Sequence, residues 1–198
     1  MRITFSAVAV LLCALIGGCQ SQLDAPASSN YSSESTQAAT PPYESMLIPM
    51  LREYGHRNWI VIADSAYPAQ SRAGIQTVVT NSDQLKVLRT VLDDIKKMPH
   101  ATPIVYTDAE LKYVPEKDAP GIDKYRKELA KVLGDRSVQS LPHEQIIAKL
   151  DEAGKTFKIL ILKTNLTIPY TSVFLQLDCA YWGPDAEKRL REKMQEEK

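Results

Sequence analysis

The sequence predicts an α/β domain, a mostly parallel sheet flanked by helices, and three observations predict it. Strand-like stretches recur at 59–63, 76–80, 103–106, 157–162 and 173–179, all but the short 76–80 predominantly apolar. The run at 59–62 is apolar at successive rather than alternate positions, which is how a strand covered on both faces reads. Between the runs lie stretches with apolar residues three and four apart, the mark of helices that pack by one face. Strand and helix patterns alternate along the chain, which favours crossover connections and parallel pairing. The last two runs are joined by a short turn-like segment containing Pro169, so one antiparallel pair is expected there.

Taken in order, the chain first shows an export pattern. Arg2 supplies a positive charge, residues 7–16 form a short apolar core, and Ile16-Gly17-Gly18-Cys19 follows. An apolar run this short reads as a signal over 1–18 rather than a stable membrane span. The small residues before Cys19 resemble the lipobox of bacterial lipoproteins, in which the cysteine is acylated and becomes the new N-terminus. A plain signal cleaved near the same place is the alternative. Gln20, in place of an aspartate, points to an outer-membrane address facing the periplasm. Residues 19–44 are rich in Ser, Ala, Thr, Gln and Pro and too poor in large aliphatics to offset ordering entropy, so they read as a flexible tether. Residues 45–198 are the right size for one domain with one core. Cys13 leaves with the signal and Cys19 carries lipid, so Cys179 is the one thiol left and is expected as a small buried hydrophobe. The 24 basic and 24 acidic residues cancel and are interspersed, which argues against a nucleic-acid surface or an electrostatic membrane patch.

The domain opens with a helix pattern at 46–54, where Leu47, Met50, Leu51 and Tyr54 share a face and Pro49 is tolerable only in the first turn. Gly55 is suited to a left-handed cap. After the strand at 59–63, Ala66-Tyr67-Pro68-Ala69 reads as a loop. Asn81 or Ser82 caps a helix over 83–97 whose Leu85, Leu88, Val91, Leu92 and Ile95 form one stripe. A polar segment with Pro115, Pro120 and Gly121 leads to a helix over 122–133, stopped by Gly134. Another begins at Pro142-His143, where proline suits the first turn, and runs to Glu152. A charged surface helix over 185–196 closes the chain. The segment 107–136 reads as a lid or an embellishment, and Asp108-Ala109-Glu110 as a solvated loop, although acids at a strand end also suit a ligand site.

Gly55-His56-Arg57-Asn58 runs into the strand 59–63 and then Asp64. A strand rises roughly 3.3 Å per residue, so His56 and Asp64 would stand about 25 Å apart on one straight strand. Sharing a small site therefore requires a turn at 55–58. With Tyr67-Pro68-Ala69, Pro142-His143-Glu144, Lys163-Thr164 and Pro169-Tyr170-Thr171-Ser172 added, the order and spacing resemble the D-ribose pyranase and L-fucose mutarotase family. The resemblance runs from Leu47 to Val173. It departs where Asn58 stands for an acid, Asn165-Leu166 for Gly-Glu, and Ser172 for an asparagine.

The resemblance implies a monosaccharide mutarotase or pyranase working without cofactor or metal, in a homo-oligomeric ring with sites built across subunit contacts. It implies His56 as the leading acid/base and Asp64 holding the imidazole or binding a hydroxyl. His143 follows as a second proton-transfer or binding group, and Tyr170 binds or protonates an oxygen. Lys163, Ser172 and Asn58 would contact substrate. Each residue also has a structural reading. His56 can cap a helix C-terminus, Asp64 can cap a turn, His143 can be a surface residue, and Tyr170 can pack with a wet hydroxyl. His100 has no evident partner. A non-catalytic sugar-binding lipoprotein of the envelope is the alternative, and Asn58 and Ser172 favour it.

Overall fold

A computed structural model describes residues 42–196. The expected signal, Cys19 and most of the tether lie outside the described residues. Five helices and six strands follow in the order α1 (Tyr43–Glu53), β1 (Trp59–Ala63), β2 (Ile75–Val79), α2 (Gln84–Lys96), β3 (Ala101–Asp108), α3 (Ile122–Leu133), β4 (Val138–Leu141), α4 (His143–Ala153), β5 (Ile159–Lys163), β6 (Val173–Cys179) and α5 (Pro184–Glu196). The strands form one sheet in the order β2-β5-β1-β6-β3-β4. No described helix is long and apolar enough to cross a membrane.

The expected α/β class stands, with one change in pairing. β1 pairs parallel with β5, β5 with β2, and β3 with β4, while β6 runs antiparallel between β1 and β3. β5 and β6 are thus not a hairpin, because β1 lies between them. The connection over 164–172 passes across the end of β1, with Tyr170 in the left-handed region at φ 57°.

Alternation along the strands sorts the core into two layers. Ile60, Ile62, Leu160, Leu162, Val173 and Leu175 face α1, α2 and α3. Trp59, Val61, Ala63, Tyr106, Ile159, Ile161 and Phe174 face α4 through Ile146 and Leu150. Segment 107–136 is no lid, since Ile122, Tyr125, Leu129 and Leu133 of α3 are buried in the larger layer.

Several local expectations are corrected. α1 begins at Tyr43, inside the expected tether, because the Tyr43 ring is buried, and Pro49 therefore falls within the helix. Gly55 is not the left-handed residue; Arg57 takes that role at φ 75°. Asp83 caps α2 by accepting from Lys86 N–H at 2.9 Å, in place of Asn81 or Ser82. β4 was not expected, because Val-Gln-Ser-Leu is short, largely exposed and half polar. His100 does have partners: its Nε2 lies 3.1 Å from the Leu51 carbonyl and 2.9 Å from that of Tyr54. Both partners only accept, so Nε2 carries the proton and closes the C-terminus of α1. Cys179 is half-buried rather than buried.

Behind the end of β1 lies a buried polar junction. Gln84, fully buried in the first turn of α2, donates from Nε2 to Tyr125 Oη at 2.9 Å and to the Thr171 carbonyl at 2.5 Å. The Tyr125 hydroxyl donates to the same carbonyl at 2.7 Å. Thr164 Oγ1 lies 2.8 Å from the Ala63 carbonyl and 3.1 Å from Gln84 Oε1. One amide thus ties α2 and α3 to both ends of the 164–172 loop.

Gln84→Ala removes a hydrogen bond from the Thr171 carbonyl and from the Tyr125 and Thr164 hydroxyls, and opens a cavity. It is expected to cost about 2–4 kcal/mol of stability, read from urea denaturation. A loss under about 0.5 kcal/mol would show that the junction does not hold the loop.

Candidate functional site

β1 and β3 end at the sheet edge where antiparallel β6 begins. Ile62 and Thr107 both lie opposite Val173 in register, so Asp64, Asp108 and Ser172 come to this edge together. Ligand sites form at such carboxyl ends of parallel strands because loops leave the sheet there in divergent directions. The 164–172 loop and the first turn of α4 wall a cavity of about 580 Å³, which Asp64, Tyr67, Gln70, His143, Glu144 and Tyr170 help to line. That volume suits one small polar molecule.

Asp64 is held on two sides. Its Oδ1 accepts from Ala66 N–H at 2.9 Å and its Oδ2 from the Ser172 hydroxyl at 3.1 Å. The expected turn-capping role is therefore real and leaves the carboxylate at the cavity wall. His143 opens α4, and its backbone N–H donates to both oxygens of Glu110 at 3.1 and 3.0 Å. Its Nδ1 donates to Asp108 Oδ1 at 3.1 Å, a pairing that fixes the tautomer and leaves Nε2 as the ring nitrogen for a ligand. The Tyr170 ring meets that imidazole edge-on, with centroids 5.8 Å apart and planes at 82°. Tyr170 is also one of three non-glycine residues with positive φ among those described, a conformation that costs free energy and so is imposed by its surroundings.

Asp108, expected in a solvated loop, is buried at the end of β3. Its side chain is 1% exposed, and Oδ2 has no hydrogen-bond partner. Burial pushes its carboxyl up to about 6, against the His143 hydrogen bond that lowers it, while Glu110 and Asp64 add like-charge repulsion. Tyr67, also buried, has its phenol pushed well above its ordinary range, chiefly by burial. A signal for Asp108 was present in its place at a strand end. Its partner lies 35 residues on, beyond any local pattern.

The remaining expected residues lie elsewhere. The turn at 55–58 exists, with Asn58 N–H donating to the Gly55 carbonyl at 3.1 Å, but it leaves His56 at the opposite end of β1 from Asp64. There His56 Nδ1 donates to Asp178 Oδ1 at 2.9 Å. Asn58 is occupied by backbone: its Oδ1 accepts from Gly55 N–H at 2.9 Å and its Nδ2 donates to the Lys158 carbonyl at 3.2 Å. Lys163 ends β5 beside Ala63 and does not line the cavity. Ser172 is buried, and its hydroxyl is spent on Asp64. Among the described residues, no three His, Cys, Asp or Glu side chains gather as metal ligands would.

A sequence model of the RbsD / FucU transport protein family matches residues 40–180. No curated protein matches the chain. Among solved structures, the chain is similar to Bacillus subtilis RbsD complexed with D-ribose, at 23% identity over 68% of this chain and 92% of that one, TM-score 0.49. It is similar to the fucose mutarotase of Streptococcus pneumoniae in complex with L-fucose, at 23% identity over 67% and 91%, TM-score 0.46. FucU from Bifidobacterium longum matches at 20% identity over 67% and 92%, TM-score 0.44.

The raised Asp108 carboxyl has a consequence for stability. The fold favours the protonated acid, so the stability this group contributes is complete below about pH 4 and is lost as pH rises through about 6. Asp108→Asn keeps an acceptor for His143 and never ionises. It is expected to flatten the change in urea midpoint across that window and to match or exceed the wild type at about pH 8. Retention of the full wild-type pH dependence would remove Asp108 as its source.

Proposed function

Because the chain belongs to the RbsD / FucU transport protein family, we propose that it interconverts the anomers or ring forms of a free monosaccharide by cofactor-free general acid/base catalysis. The observation that carries this reading is one cavity holding the Asp64 carboxylate, Tyr170, and a His143 imidazole fixed by the buried Asp108. Ring opening needs one proton removed and one delivered. A base takes the proton of the anomeric hydroxyl, the bond from the anomeric carbon to the ring oxygen breaks as a carbonyl forms, and an acid protonates the ring oxygen. Reclosure on either face, or through a different hydroxyl, returns both protons. His143 Nε2 serves as one proton carrier, since imidazole exchanges protons near neutral pH and Asp108 fixes its orientation. Asp64 binds the hydroxyl that reacts, and the Tyr170 hydroxyl reaches a sugar oxygen.

His56 enters as the second carrier only from another copy, because within one chain it stands at the far end of β1. This supports a homo-oligomer whose sites combine the His56 end of one copy with the Asp64 end of the next. The lipobox pattern at Cys19 supports anchoring by lipid to the outer membrane, with the domain facing the periplasm. A second reading, a sugar-binding lipoprotein without turnover, draws support from Ser172, whose buried hydroxyl is engaged by Asp64 rather than turned to a ligand.

Saturation-transfer NMR on D-ribose, L-fucose, D-galactose and D-glucose tests the reading. One of them is expected to exchange faster than in buffer, and His143→Ala is expected to slow that exchange roughly 10²-fold or more. Mixed oligomers of His56→Ala and His143→Ala chains are expected to recover activity that neither has alone, because some shared sites then hold both imidazoles. No acceleration by a folded chain sinks catalysis on these sugars, and binding titration then decides the second reading.

A further inference from the structure

The end of the chain is a second place where polar and aromatic groups converge. Residues 181–196 lie beyond the family match, which stops at residue 180. They comprise Tyr181, Trp182 and α5, a helix with no buried residue. Such a helix is not held by a core of its own. It is joined to the aromatic pair by side chains: Trp182 Nε1–H donates to Glu187 Oε2 at 2.7 Å, and Arg191 grips Glu187 Oε1 from Nε at 2.7 Å and Nη2 at 2.6 Å. The indole is therefore tied in one orientation while 44% exposed, and Tyr181 beside it is 77% exposed. Both rings line a cavity of about 580 Å³, as large as the one at Asp64, whose other walls include His56, Asp178 and Glu187. Asp178 holds the His56 ring through Nδ1, so Nε2 is the nitrogen left to a ligand.

Two aromatic faces with a carboxylate and an imidazole at their rim define a recognisable chemistry. A sugar ring is apolar on the face where its axial C–H bonds point and polar around its edge. The C–H face settles on the negative face of an indole or phenol, while the hydroxyls donate to a carboxylate and to the imidazole nitrogen that carries no hydrogen. A flat apolar ligand would leave Asp178 and His56 at the rim unused.

We infer that Trp182 and Tyr181 form a stacking platform for a monosaccharide ring, with Asp178 and His56 supplying its polar contacts. The inference rests on the sugar reading above and deepens it, adding to the His56 end of the shared site a part of the chain outside the family match. It assigns the appended segment a ligand rather than a structural duty.

The chain has two tryptophans, and Trp59 is buried against Tyr106, so the indole N–H resonances report two separate places. In the full chain labelled with nitrogen-15, titration with the same four sugars is expected to move the Trp182 resonance saturably and leave that of Trp59 in place. Trp182→Ala assigns the signal by its loss. Tyr181→Ala keeps the reporter and is expected to raise the half-saturating sugar concentration roughly threefold or more. A Trp182 resonance that stays fixed with every sugar, including one the chain exchanges, overturns the platform. So does a shift that Tyr181→Ala leaves unchanged. Exchange and resonance are read separately, so absence of catalysis with a saturable Trp182 shift would sink the mutarotase reading and support the platform.

Discussion

The fully buried amide of Gln84 is the contact on which the site geometry depends. The 164–172 loop must cross the end of β1 because β5 and β6 lie on either side of it, and a loop pressed against a core cannot leave its polar backbone to water. Gln84 answers this with both ends of its side chain, donating to Thr171 and Tyr125 and accepting from Thr164. The Thr171 carbonyl takes hydrogen bonds from both Gln84 and Tyr125, which holds that peptide in place. Its neighbours are Tyr170, turned left-handed beside His143, and Ser172, bonded to Asp64. The positions of two cavity residues thus follow from hydrogen bonds made on the opposite face of the sheet.

Electrostatics completes what packing begins. Placing β6 antiparallel between β1 and β3 brings Asp64 and Asp108 to one edge, and Glu110 follows one turn later. Burial is what chiefly lets Asp108 hold its proton up to about 6, and the nearby carboxylates of Glu110 and Asp64 add a smaller push in the same direction. The hydrogen bond to His143 is what makes burial of Asp108 tolerable, since an unpaired buried carboxylate costs several kcal/mol. An acid at that position without the histidine would be a defect, and the histidine without the acid would lose its orientation.

The elements were legible wherever apolar periodicity was strong. β1, α3 and β6 fall where their patterns place them, because each buries a continuous stripe or run. β4 was illegible because an exposed edge strand of four residues carries no stripe. The partnership of β5 and β6 misled for a different reason: nothing in a short connection tells whether it turns back or steps over a neighbour. Within the site, Asp64, His143 and Tyr170 were legible as a set. Asp108 and Gln84 were not, since burial of a polar side chain depends on partners 35 and 87 residues away. Asn58 reads in the sequence as a departure at a binding position, yet it serves the turn through two backbone contacts.

The separation of His56 from Asp64 is a property of the sheet and not of one conformation. β1 is buried throughout, hydrogen-bonded to β5 on one side and β6 on the other, so it cannot bend without breaking two ladders at the centre of the fold. The turn at 55–58 is pinned as well, through Asn58 and through Arg57 N–H, which donates to the Leu177 carbonyl at 2.8 Å. His56 is further tied to Asp178 at the end of β6. A strand held this way acts as a ruler of fixed length, with an imidazole–carboxylate pair at each end: His56 with Asp178, and His143 with Asp108. No loop movement within a single chain brings the two pairs together, so chemistry that needs both requires a second copy aligned end to end. Chemistry that needs one pair leaves the other free to bind.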